Sequence, residues 1–252
     1  MRAVADRHHV ILLLGMLVLL AWTILWLGGQ SPYGRYVTHA AFRHVDINSG
    51  FVALAVIVGW LLMIIAMMLP TSLPLVAMFD RMTAEQENHA SLVALLVAGY
   101  LGIWMLFGVV GYSGDRFLHS VLGQYTWLHA NAWIIGAGIL VIAGLYQFTP
   151  LKSYCLKKCR SPLGFLIAHW QGGGDGTHAL KLGVRHGLFC IGCCWSLMLL
   201  MFVVGMGNLG WMFILGAFMA AEKNLPWGQR FSAPLGVMLV GWGSLEAIMA
   251  LA

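Results

Sequence analysis

Charge is what this chain has least of. Asp, Glu, Lys and Arg together make up 9% of its 252 residues, against about 25% in an ordinary soluble domain. Hydrophobic residues reach 60% and the mean hydropathy is +0.83. So few charges cannot cover a water-exposed surface, and the chain reads as an all-α integral membrane protein of a single domain. Basic residues outnumber acidic ones, giving a formal net charge of +5. They sit in short stretches between apolar runs, where they answer to membrane topology and anionic headgroups. Membrane lipids, and no nucleic acid, are the expected surroundings.

Catalytic signatures are missing as well. There is no Ser-His-Asp arrangement and no zincin motif. The glycine-rich stretch Gln171-Gly-Gly-Gly-Asp175-Gly176 is not followed by Lys-Ser/Thr, so it is no phosphate loop. A non-enzymatic protein is expected. Nor does the first apolar run read as a cleaved leader. Val10–Leu27 exceeds a secretory core of about 7–15 residues and closes on Trp26-Leu27-Gly28-Gly29, without a small-x-small site.

What is present is a series of apolar segments. Seven can be marked: Val10–Leu27, Phe51–Leu69, Leu92–Tyr112, Ala132–Phe148, Gly187–Val204, Leu209–Ala221 and Ala233–Leu251. The sixth is short for a span, so six crossings are the alternative to seven. Residues 149–182 read as a basic loop. Pro70 and Pro74, at the end of the second segment, should bend or break that helix and free backbone carbonyls.

With a cytoplasmic N-terminus, Arg2, Arg7, Arg81, Lys152, Lys157, Lys158, Arg160, Lys181, Arg185, Lys223 and Arg230 lie inside. Only Arg35, Arg43 and Arg116, of the 14 basic residues, lie outside. That is a clear positive-inside asymmetry. Trp22, Trp26, Trp127, Trp133 and Trp211 fall near outer ends, as an interfacial aromatic belt would.

All five cysteines fall between Cys155 and Cys194. They read Cys155-x-x-x-Cys159 and Cys190-x-x-Cys193-Cys194, with His186 one turn before Cys190, so that His186, Cys190 and Cys193 or Cys194 can share one helix face. A lone membrane-helix cysteine is ordinarily a small hydrophobe; three within five residues, plus a second pair, are harder to read that way. The spacing is neither a zinc ribbon's nor a ferredoxin's, and a disulfide is disfavoured on a reducing side. Soft sulfur donors select Cu(I), with zinc as the runner-up.

Met63 and Met67 stand one turn apart on the second segment, next to Met68. Thioethers suit Cu(I), although Met also fills irregular packing gaps. Counted from the inner ends, these methionines and the cysteines of the fifth segment reach a similar depth, the cysteines occupying its first two to three turns. Cys155 and Cys159 fall in the basic loop, where neighbouring lysines favour the thiolate ligand. The expected metal set is therefore Cys190, Cys193, Cys194, Met63, Met67, Met68, Cys155, Cys159 and His186.

Other ionisable groups are more ambiguous. Glu222-Lys223 fits a snorkelling boundary at the end of the sixth segment. Glu246 has no evident sequence-local partner, and His39, His44, His119 and His129 fall in the two larger outer loops.

With these residues in view, the chain resembles the bacterial family of predicted metal-binding integral membrane proteins that includes the tyrosinase-associated copper chaperone. The similarity rests on Met63-Ile-Ile-Ala-Met67-Met68-Leu-Pro70, on Tyr146-Gln-Phe-Thr-Pro150-Leu-Lys-Ser-Tyr-Cys155-Leu-Lys-Lys-Cys159, and on Gly187-Leu-Phe-Cys190-Ile-Gly-Cys193-Cys194-Trp195. Asn208-Leu-Gly-Trp211-Met212 and Glu222-Lys223 continue it, over roughly residues 50–250. Where a relative has Met before the outer Asn, this chain has Gly207, with Met206 one position earlier. The resemblance implies a copper-handling protein of the bacterial inner membrane that supplies a membrane or periplasmic copper enzyme such as a copper oxidase. The contrasting expectation is a non-catalytic subunit of a larger membrane complex, its cysteines structural. A thiol redox enzyme fits less well, because no paired Cys-x-x-Cys stands at an outer loop.

Overall fold

The computed structural model describes residues 2–30, 50–124, 133–170, 175–204 and 208–251. The described residues form helices α1 (Arg2–Gln30), α2 (Gly50–Met67), α3 (Leu69–Thr83), α4 (His89–Gln124) and α5 (Trp133–Tyr146). These are followed by α6 (Pro150–Cys159), α7 (Pro162–His169), α8 (Gly176–Val204), α9 (Leu209–Asn224), a 3-10 turn (Gly228–Phe231) and α10 (Ser232–Leu251). Long apolar runs favour this outcome because a helix satisfies its own backbone groups without water.

Proline and short polar side chains set the boundaries. α3, α6 and α7 each carry proline in the first turn, where the missing N–H goes unused. Thr149 caps α6 by accepting from Lys152 N at 3.3 Å, and Asn208 caps α9 through Trp211 N at 3.3 Å.

Among the described residues, four helices are long and apolar enough to cross a membrane, namely Val10–Gln30, His89–Leu118, Gly176–Met201 and Gly228–Ala250. Two further pairs pass only if each is taken as one broken span: α2 with α3, bent by 66°, and α5 with α6, bent by 65°. The first bend sits at the expected Pro70 break. The second was not foreseen, because residues from 149 onward read as loop; they fold instead into α6, α7 and the start of α8. The sixth expected segment is α9, whose 16 residues fall short of the roughly 20 that a span needs. Among the described residues the candidate spans thus number four, or six if each bent pair is one span.

α8 packs most extensively on α4, and α10 on α5. Both pairs approach closely at glycine. A Cβ on Gly183 would collide with the Leu96 carbonyl and lie 3.0 Å from Tyr100 N. One on Gly144 would lie 2.8 Å from Gly236 O. For helices this apolar, a lipid surrounding would make close packing of small residues and interhelical hydrogen bonds the cohesive force in place of the hydrophobic effect. Trp60 illustrates the second device, its indole donating to Trp104 O across to α4 at 3.0 Å. α1 lies at the edge, anchored where Ala21 is buried and Trp22 donates to Ala66 O at 3.2 Å.

Candidate metal centre

α8 builds the centre of the site. Its residues His186, Cys190, Cys193, Cys194, Leu197, Met198 and Met201 recur at three- and four-residue steps and are all buried, the pattern of one inward helix face. The helix begins at Gly176, not near Gly187. Cys190 therefore lies 14 residues inside it, about 21 Å along the axis at about 1.5 Å per residue. The cysteines are mid-helix, which corrects the expectation that they occupy its opening turns. Lys181 and Arg185 are part of the helix rather than a loop before it.

Around Cys193 the thiols are close. Cys193 Sγ lies 3.4 Å from Cys194 Sγ and 3.9 Å from Cys159 Sγ, and it donates to its own helix at Cys190 O, 3.2 Å away. Cys155 packs from α6 against Gly192, where an added Cβ would lie 3.3 Å from Cys155 Cβ. A metal–sulfur bond is about 2.3 Å, so two sulfurs on one ion stand at most about 4.6 Å apart; both measured separations fall within that reach. Among the described residues, however, no three His, Cys, Asp or Glu side chains are set out as a metal-binding group.

Thioethers surround the thiols. Met63 and Met67 of α2, and Met68 at the break after it, are buried in the same core cluster as Cys155, Cys190, Cys193 and Cys194. Met198, Met201, Met212 and Met219 join them, and none of these four was singled out from the sequence. Met198 and Met201 could have been, since they continue the helical spacing from Cys194. Met67 gains its place because α9 has no side chain at Gly216, where a Cβ would lie 3.4 Å from Met67 Cγ.

Cys190 has different neighbours. Lys223 Nζ, from the end of α9, donates to its sulfur at 2.8 Å and to Thr71 Oγ1 at 3.1 Å. The Tyr100 hydroxyl lies 3.1 Å from the same sulfur and 3.1 Å from the Met68 carbonyl. Met68 is the N-cap of α3, and Thr71 Oγ1 also donates to its carbonyl at 2.7 Å. His186 lies alongside: its Nε2 is 3.2 Å from Ser72 Oγ, its ring is 5.5 Å from that of Tyr100, and its Nδ1 meets no hydrogen-bond partner.

Lys223 and Glu222 are 5% and 1% exposed. The snorkelling reading is therefore wrong. Glu222 pairs with Lys152 at 2.7 and 2.9 Å, and Lys152 is itself 1% exposed although it was read as a loop cation. Gln147 and Ser232 complete this second group through hydrogen bonds to Lys152 and Glu222. Arg160 ties the end of α6 to the turn after α9 through Glu222 O and Pro226 O. Lys152 and Glu222 cancel one another. Lys223 is left facing a thiol and a hydroxyl. A buried charge needs a partner, and the thiolate is the metal-ligating form of cysteine. Cys190 is the cysteine that faces the Lys223 ammonium.

His39, His44 and His129 lie outside the described residues, as do the side chain of His119, Trp127 and Met206. Glu246 does have a local partner, since Trp242 Nε1 donates to it at 2.9 Å, and Trp211 stacks on Trp242 with ring centroids 5.4 Å apart.

The described helices form an apolar bundle, several of them of membrane-spanning length, that encloses a cluster of thiols and thioethers with the buried Lys223 ammonium beside it. The PpoB2 copper chaperone family model matches residues 57–245, and the chain belongs to that family. Membership carries a copper-related accessory role. No curated relative and no solved structure matches the chain.

Proposed function

We propose that the chain is a multi-pass protein of the bacterial inner membrane, its N-terminus cytoplasmic, that binds Cu(I) and passes it to a copper-dependent membrane or periplasmic enzyme. Copper is its cargo. Cys190, Cys193 and Cys194 are the principal ligands, assisted by Met63, Met67 and Met68, with Cys155, Cys159 and His186 at the margin. The observation that carries this reading is the convergence of α2, α6 and α8 on one buried sulfur cluster, with Lys223 held against Cys190 at 2.8 Å. Soft donors of this kind favour Cu(I) over harder ions, and zinc is the ion to exclude. Metal analysis of purified protein should find copper, and Cys190→Ser with Cys193→Ser should abolish it. Equal copper in that double variant would sink the assignment.

One observation favours a second reading. The thiols pack against one another without forming a ready three-ligand group, as they would if they were structural in a subunit of a larger complex. A stoichiometric membrane partner recovered under mild detergent, together with metal-free protein, would select it.

A further inference from the structure

We infer that Cys159 is the port of the sulfur cluster, the thiol at which Cu(I) is exchanged with an anionic small-molecule thiolate carrier, and that Cys193 is the residue it exchanges with inside. This deepens the copper reading and rests on it.

Three observations converge. Of the five cysteines, four are buried and Cys159 alone is partly open. It nonetheless reaches inward, 3.9 Å from Cys193 Sγ, which is in turn 3.4 Å from Cys194 Sγ. The thiols thus form a graded series from surface to core. The surroundings of the outer member are cationic. Lys157 and Lys158 are exposed beside it, Arg160 follows it, and Arg230 is exposed on the 3-10 turn that packs under Arg160 at Gly228. From Thr149 to Trp170 the chain contains no Asp or Glu. A positive rim with one open thiol suits a carrier that is both a thiolate and an anion, the chemistry of a copper-loaded thiol peptide such as glutathione. Fields of this kind raise local substrate concentration and on-rates.

The exchange balances without a redox partner. Cu(I) bound to the carrier sulfur forms a bond to Cys159 Sγ as its bond to the carrier breaks, and the Cys159 proton passes to the departing carrier thiolate. The same exchange then moves Cu(I) from Cys159 to Cys193, whose proton returns to Cys159. Copper remains monovalent throughout.

The test separates rate from equilibrium. Metal-free full-length protein in lipid nanodiscs is mixed with Cu(I)–glutathione, and copper on the protein is measured against time by rapid separation. Cys159→Ser should leave the final copper content within about twofold of wild type while slowing uptake at least about tenfold, the equivalent of one raised barrier. Lys157→Gln with Lys158→Gln should slow uptake from Cu(I)–glutathione about threefold or more and should not slow uptake from Cu(I)–cysteamine, whose thiol carrier bears a cationic ammonium. Unchanged uptake by Cys159→Ser overturns the port. So does a loss of final copper as complete as that of Cys190→Ser, which would make Cys159 a resident ligand. Equal slowing from both donors in the lysine variant overturns the anionic carrier. If the wild type itself takes up no copper, the copper reading fails instead.

Discussion

Lys223 Nζ and Cys190 Sγ stand 2.8 Å apart inside the bundle, joined from helices α9 and α8 and both buried. Removing the sulfur leaves the ammonium with Thr71 as its remaining hydrogen-bond partner. Cys190→Ala should therefore destabilise the protein by about 3–5 kcal/mol, the loss seen when one member of a buried charged pair is deleted. Cys193→Ala strands no charge and should cost less. Adding Lys223→Met to Cys190→Ala should recover most of the loss. Thermal unfolding in detergent measures all four proteins.

The Lys152–Glu222 pair obeys the same logic on a carboxylate. Glu222→Gln preserves shape but leaves Lys152 buried without its counter-ion, and about 3–5 kcal/mol should be lost. Lys152→Met with Glu222→Gln should be closer to wild type than either single change. If the double variant is as unstable as the sum of the singles, the pair is not an energetic unit.

The α4–α8 contact at Gly183 sets the distance between Tyr100 and Cys190. Gly183→Ala introduces a methyl group where the Leu96 carbonyl already lies, with Tyr100 N at 3.0 Å. Overpacking of this kind costs about 1–3 kcal/mol, and here the obstacle is backbone. The melting temperature should fall, and Cys190 should become more reactive toward a small thiol reagent as the helices part.

Met67→Leu conserves volume and should cost less than about 1.5 kcal/mol of stability. If its thioether is a ligand, Cu(I) affinity should nevertheless fall at least about tenfold. Competition against a chromogenic Cu(I) chelator reads the affinity, and an unchanged constant would return Met67 to packing alone.

Much of this was legible in the chain because it is local. Pro70 predicts the break before α3, and helical spacing predicts the face shared by His186, Cys190 and Cys193. The Gly183-x-x-x-Gly187 step is a close-packing pattern written locally in the chain as well. The partners of charge were not legible. Lys152 meets Glu222 across 70 residues and Cys190 meets Lys223 across 33, and in isolation each of those cations resembles the ordinary basic flank of a span. The depth of the cysteines was misjudged for a related reason. Lys181 and Arg185 read as the boundary of the helix, whereas α8 runs straight through them to Gly176.

The absence of a side chain at Gly99, Gly183 and Gly187 also bears on how far this fold can drift. At each position an added carbon would strike the opposing helix, meeting Leu180, Leu96 and Ile103 respectively. A chain that keeps this helix packing has little room for a larger residue at these three places. Any homologue that carries a larger residue at one of these places must have moved α8 away from α4, and its tyrosine–cysteine contact with it. The glycines, more than the cysteines, should then sort relatives that keep this arrangement of sulfur, tyrosine and lysine from those that retain only the bundle.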